Sequence, residues 1–189
     1  MRFSVLFLFF ILNTSLLYAK ELPFSYSPTT SPLVEIKILK NKVLASYPNG
    51  SIQELWNETP LKDNHLIRDF NFDGYKDLAI RVAVDKIGRN SEYQIFYWNN
   101  NKMVLEKGQV LVNPRIQSGF IIESILAYIP YELRYRWESS SLQKHSKLTA
   151  IGEDQAQTEI VFFENNKEVR KVIVPTYEIE EAIIDWDKR

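Results

Sequence analysis

Residues 69–77 read Asp-Phe-Asn-Phe-Asp-Gly-Tyr-Lys-Asp and concentrate oxygen ligands at regular spacing. Side-chain oxygens fall at loop positions one, three, five and nine, on Asp69, Asn71, Asp73 and Asp77, and Tyr75 at position seven would offer its backbone carbonyl. Gly74 stands at position six, where a calcium loop turns sharply and a Cβ is penalised. Hard oxygen donors without sulfur or imidazole select calcium over zinc or copper. An EF-hand would close its cage with a bidentate Glu at position twelve, but Ile80 occupies that place. Calcium held here is therefore expected to be structural and of weak to moderate affinity, with a Kd of about 10⁻⁴ to 10⁻³ M. An acidic turn held by Asx-type hydrogen bonds, binding no metal, is the alternative.

The same carboxylates are poor candidates for catalysis. A glycosidase needs two carboxyl groups flanking its substrate across a cleft, at about 5–9.5 Å. Asp69, Asp73 and Asp77 crowd around one point, and a bound cation would hold them ionised. The only histidines are His65 and His145, with no metal-ligand spacing between them; both read as surface groups, His145 within a solvated turn or strand edge. The chain has no cysteine nucleophile, no Gly-x-Ser-x-Gly elbow and no phosphate-binding glycine loop. The reading is that of a non-enzyme.

The elements that must position the loop are strands. Leu66-Ile67-Arg68 precedes it and the β-branched run Leu78 to Val84 follows it. Upstream, Val34, Ile36 and Ile38 alternate with Glu35 and Lys37, Lys40-Asn41-Lys42 turns, Val43 to Tyr47 returns, and Ile52 to Trp56 forms a further strand after the Pro48-Asn49-Gly50-Ser51 turn. Downstream, aromatic-rich strands meet small polar turns three times, after Trp98, Trp137 and Phe163. These predict antiparallel hairpins. Ile179, Ala182, Ile183 and Trp186 share one face of a short C-terminal helix, whose first turns carry Glu178, Glu180 and Glu181. The fold class is all-β, in short antiparallel sheets, closed by that helix.

Aromatic residues are abundant. Tyr93, Phe96, Tyr97 and Trp98, then Tyr128, Tyr131, Tyr135 and Trp137, suit a β core, while Arg134-Tyr135-Arg136-Trp137 is the short run best composed for a binding surface.

Residues 1–19 carry Arg2, an apolar run broken at Asn13 to Ser15, and Ala19 at a cleavage point, and so read as a secretory signal peptide. The run is short for a membrane span, so the mature protein is not expected to be an integral membrane protein. No Cys follows it for a lipid anchor. Residues 20–32, with Pro23, Pro28 and Pro32, read as a flexible leader, and residues 33–189 as a single domain. A net charge of −1, evenly mixed, argues against nucleic acid as partner. Export without cysteine fits the bacterial periplasm, with secretion as the alternative.

The segment Asp69 to Leu78 resembles the D-x-N-x-D-G-x-x-D-L loop of FG-GAP and related β-propeller-like repeats. The order of leader, early strand pair, Ile52-Gln53-Glu54-Leu55, acidic loop and Asn-containing hairpins over residues 33–175 is similar to a family of bacterial periplasmic proteins. Some of that family are immunity proteins of antibacterial type IV secretion systems and inhibit lysozyme-like, peptidoglycan-cleaving effectors. The resemblance implies an incomplete β-propeller-like fold, a calcium site at Asp69, Asn71, Asp73, the Tyr75 carbonyl and Asp77, and a cell-wall hydrolase as protein partner. It carries over no partner-contacting residue. A calcium-braced envelope module for a glycan or surface protein is the alternative function.

Overall fold

The computed structural model describes residues 24–26, 28, 33–58, 65–152 and 154–188. The signal peptide expected at 1–19 lies outside the described residues. Three antiparallel meanders follow one another along the chain. The first sheet contains β1 (Phe24–Tyr26), β2 (Val34–Ile38), β3 (Val43–Ser46) and β4 (Ile52–Trp56). Its edge strand β1 comes from the span read as a loose leader and pairs with β2, Phe24 opposite Ile36. The second contains β5 (His65–Arg68), β6 (Asp77–Val84), β7 (Ser91–Asn99) and β8 (Val104–Val112). The third contains β9 (Arg115–Gln117), β10 (Phe120–Ile125), β11 (Tyr131–Glu138), β12 (Ser141–Ile151), β13 (Gln157–Glu164) and β14 (Lys167–Pro175). A 3₁₀ turn at Thr176–Glu178 leads into α1 (Ile179–Asp187).

Each strand neighbours the next in sequence, so the ladders close locally and the sheets meet through their faces. Side chains alternate across a strand, and the second sheet uses both faces. Leu78, Ile80, Phe96 and Trp98 point to Val34, Ile36, Val43 and Ala45 of the first sheet. Ala79, Tyr93 and Ile95 point the other way, to Ile121 of the third. The third sheet repeats the device: Phe120, Ile122, Leu148, Ile160 and Phe162 pack against Ile183 of α1. The result is a series of face-packed sheets with no closed barrel, an incomplete propeller-like arrangement. Burying a large apolar side chain contributes roughly 1.5–3 kcal/mol. With no cysteine in the chain, these three cores hold the sheets together without disulfides.

Turn chemistry sets the register. Ser139 and Ser140 (φ 48° and 65°) join β11 to β12, and Asn165 and Asn166 (φ 48° and 60°) join β13 to β14. Paired positive φ values mark the tight turns whose twist matches that of the flanking strands. They follow Trp137 and Phe163, where polar turns were expected, and Trp137 pairs directly with Leu142.

Candidate functional site

The acidic loop connects β5 to β6, strand to strand. The last pair of that ladder is Arg68 opposite Asp77, so the loop leaves and re-enters the sheet at one point. Its interior is organised by its own oxygens. Asp69 accepts the Gly74 N–H at 2.9 Å and the Asp73 N–H at 3.2 Å. The same Asp73 N–H is shared with Asn71 Oδ1 at 3.2 Å. Asp73 Oδ1 accepts the Tyr75 N–H at 2.8 Å, and its Oδ2 accepts the Asn71 side-chain N–H at 2.9 Å. Gly74 takes φ +88°, the left-handed turn that position six demands. Phe72 is also left-handed, at φ 59°, a strained place for an aromatic residue that the flanking side-chain hydrogen bonds enforce.

Asp77 behaves differently. It is fully buried and spans the two ends of the loop and the next strand, accepting the Phe70 N–H at 2.7 Å and the Trp98 N–H at 2.8 Å. Burial pushes its carboxyl up to about 7. The two N–H donors pull against that shift, and the negative charges of Asp73 and Asp69 add to it. The five expected ligand residues therefore divide. Asp69, Asn71 and Asp73 share the solvent-facing loop with Tyr75, while Asp77 is turned into the protein.

Among the described residues, no group of three Asp, Glu, His or Cys side chains forms a metal cage. A cation at this loop would draw on Asp69 and Asp73, on the Asn71 amide oxygen and on the Tyr75 carbonyl. Each of these oxygens has two lone pairs, so one N–H bond leaves capacity for a second partner. The set consists of hard oxygen donors and suits calcium in chemistry. Asp77 stands behind them, near enough that the charges of Asp73 and Asp69 help to raise its pKa.

The loop forms one rim of an open cleft of about 1030 Å³ between the second and third sheets. Asn71, Asp73 and Tyr75 line this rim, and Tyr97, Tyr135 and Trp137 supply aromatic walls. The Tyr97 and Trp137 rings lie 4.7 Å apart at 56°. Tyr97 lies flat on β8 because Gly108 has no side chain: a Cβ there would stand 2.3 Å from the ring. The other aromatic residues divide between core and surface. Tyr93, Phe96 and Trp98 are core, and Tyr128 is wholly exposed.

The run Arg134-Tyr135-Arg136-Trp137 also divides by parity. Tyr135 packs toward the second sheet, while both arginines reach α1. Arg134 pairs with Glu180 at 2.9 Å, and Arg136 grips the Asp187 carboxylate with both terminal nitrogens. His145 corrects the solvated-edge expectation. It is buried in mid-strand β12, with Nε2 2.9 Å from Asp187 Oδ1 and its ring against Phe120. Burial pushes its pKa down against the pull of Asp187. The polar turn composition of Gln143 to Lys147 concealed a strand in which His145, set at the register shift opposite Arg134 and Tyr135, reaches α1. His65 is half-buried at the start of β5.

Sequence reasoning also missed the β10–β11 connection. Leu126, Ala127, Tyr128, Ile129 and Pro130 are all exposed, an apolar loop turned to solvent. Its base is fixed from two sides. Asn90 Oδ1 accepts the Leu126 N–H at 2.9 Å, and the Asn113 side chain donates to Asn90 at 3.1 Å and to the Ser124 carbonyl at 2.9 Å. An apolar run bounded by Pro is the one signal that could have marked it, but such runs ordinarily read as core strand.

Fold and site together define an all-β protein of stacked antiparallel meanders bearing an acidic loop. No protein-family model matches the sequence, and no curated protein matches it. Among solved structures, the chain is similar to a Xanthomonas type IV secretion system related protein, with a TM-score of 0.55 and 13% identity, over 79% of this chain and 85% of that one. At that identity the likeness is one of fold.

Proposed function

We propose that this protein is an exported, immunity-type inhibitor that occludes a lysozyme-like, peptidoglycan-cleaving hydrolase, with calcium bracing the 69–77 loop. The exposed apolar loop Leu126 to Pro130 carries this reading. Leu126 is 44% and Ile129 55% exposed, and Tyr128 projects fully between them. Contiguous exposed apolar residues, unlike those scattered singly, mark an interaction surface. A protruding tip with an aromatic anchor suits a concave enzyme cleft, and its hydrogen-bonded base lowers the ordering cost of docking. The fold shared with a type IV secretion system related protein supports a place among such systems. The signal-like N-terminus supports the periplasm as its compartment, and a sequence without a cysteine nucleophile or a Gly-x-Ser-x-Gly elbow supports a non-enzyme.

Calcium would be held by Asp69, Asn71, Asp73 and the Tyr75 carbonyl, with Asp77 behind them, and would stiffen the turn rather than take part in chemistry. The deciding experiment mixes the purified protein with peptidoglycan hydrolases, including any encoded beside it. A stable complex and slowed cell-wall digestion are expected with at least one. Neither complex nor inhibition across the set would sink the proposal.

A second reading is favoured by the cleft itself. Its aromatic walls and its amide and hydroxyl rim, including Asn99, Gln109 and Ser141, suit a glycan chain. Saturable glycan binding without any hydrolase inhibition would select it.

A further inference from the structure

A second, smaller cavity of about 300 Å³ lies between the third sheet and the start of α1. Ile125, Leu126, Pro130, Leu148, Ala150 and Ile179 give it apolar walls. One cation, Arg134, also lines it and is 5% exposed. Its terminal nitrogen reaches Glu180 at 2.9 Å, but that carboxylate side chain is itself 56% exposed. Arg134 Nε is buried and has no hydrogen-bond partner among the described residues. The other charged residue on the wall, Glu132, is engaged by Arg115. The guanidinium also lies over the Phe120 ring, 5.9 Å from its centroid, but among the described residues its five N–H donors meet one carboxylate, and that one is half-solvated. A second carboxylate would supply charge-assisted hydrogen bonds to a guanidinium that is itself 5% exposed.

We propose that this pocket binds a small apolar carboxylate, its acid group on Arg134 and its hydrocarbon body against the apolar walls. At about 30 Å³ per water-sized group, the cavity holds roughly ten non-hydrogen atoms, the size of a medium-chain fatty acid or an aryl-alkanoic acid. A pocket of apolar walls with one convergent charged group is the usual form of a small-ligand site. The arrangement also makes Glu180 a competitor: its carboxylate occupies the guanidinium that the ligand would use.

The test titrates octanoate, octanol and acetate onto the full chain and follows backbone amide NMR shifts at Ile125, Ala150 and Ile179. Octanoate is expected to bind saturably, with octanol and acetate at least about tenfold weaker. Arg134→Met should bring octanoate down to the level of octanol. Glu180→Gln should tighten octanoate several-fold and leave octanol unchanged. If Arg134 serves only to clamp α1, Glu180→Gln will loosen the helix without improving octanoate. The proposal is overturned if octanoate fails to bind, if it binds no better than octanol, or if Glu180→Gln leaves it unchanged or weaker. Should Arg134→Met fail to fold, the exposed Glu180→Gln decides alone. Hydrolase inhibition is measured separately, so either idea can fail without the other.

Discussion

The carboxylate of Asp77 accepts the backbone N–H of Trp98 at 2.8 Å, continuing by side chain the ladder that β6 and β7 form by backbone. The other oxygen of the same carboxylate holds the Phe70 N–H inside the acidic loop. One residue thus fastens the loop to the central sheet. Replacing Asp77 by Ala leaves two buried N–H groups without acceptors, at a cost of about 2–4 kcal/mol. Urea unfolding should show this as a lower midpoint. Asp77→Asn, which keeps an acceptor, should recover part of the loss.

Calcium is expected to raise the melting temperature. Binding to the folded state alone contributes about 1.4 kcal/mol at ten times Kd. The rise should vanish in Asp73→Ala, whose carboxylate faces the loop interior, and on adding chelator. A melting curve indifferent to millimolar calcium would mean that the loop is an Asx-bonded turn and nothing more.

Tyr128→Ala should separate stability from function. The ring is wholly exposed, and exposed substitutions usually move stability by no more than about 0.5 kcal/mol. Loss of a central aromatic anchor costs an interface about 2 kcal/mol or more. The expected result is an unchanged melting temperature with hydrolase inhibition weakened at least about tenfold, measured by titration against a fixed enzyme concentration. Full inhibition by this variant would move the contact surface elsewhere.

Gly108→Ala probes the cleft wall. The new Cβ would meet the Tyr97 ring at 2.3 Å, and that ring is held from its other side by Trp137. Overpacking of this kind costs about 1–3 kcal/mol. Tyr97→Ala removes the obstruction, so the double variant should lose less than the two single losses summed. Strict additivity in thermal unfolding would show that the ring moves freely.

The His145–Asp187 pair predicts acid sensitivity. Burial lowers the His145 pKa in the folded protein, so below about 6.5 the unfolded chain binds more protons than the folded one. Stability from this group is complete above that pH and is lost as pH falls toward the lowered folded value. For Asp187, burial pushes the pKa up, but the Arg136 and His145 hydrogen bonds outweigh it and hold it low. Its contribution is lost only below about 4. Asp77, raised to about 7 in the fold, gains stability over the same range as pH falls, so the His145 part is read by difference: between about pH 7 and pH 5 wild type should lose stability relative to His145→Gln.

Local physics was legible in the linear chain. The alternation of Val34 and Ile36 with Glu35 and Lys37, the polar turns after Trp137 and Phe163, and the helix face from Ile179 to Trp186 all depend on near neighbours, and they fold as read. The loop geometry was legible for the same reason: Asp69, Asn71, Asp73 and Gly74 interact within five residues of one another. Tertiary structure alone decided whatever depends on face-to-face packing. Asp77 is a ligand by spacing, yet burial against β7 makes it a backbone acceptor. His145 reads as surface by its polar neighbours, yet Asp187, distant in sequence, makes it an anchor for α1. An apolar run such as Leu126 to Pro130 ordinarily reads as core by composition, but only the stacking of the sheets determines that none of the described residues covers it. Periodicity specifies which side chains share a face; it carries no information about what that face will meet.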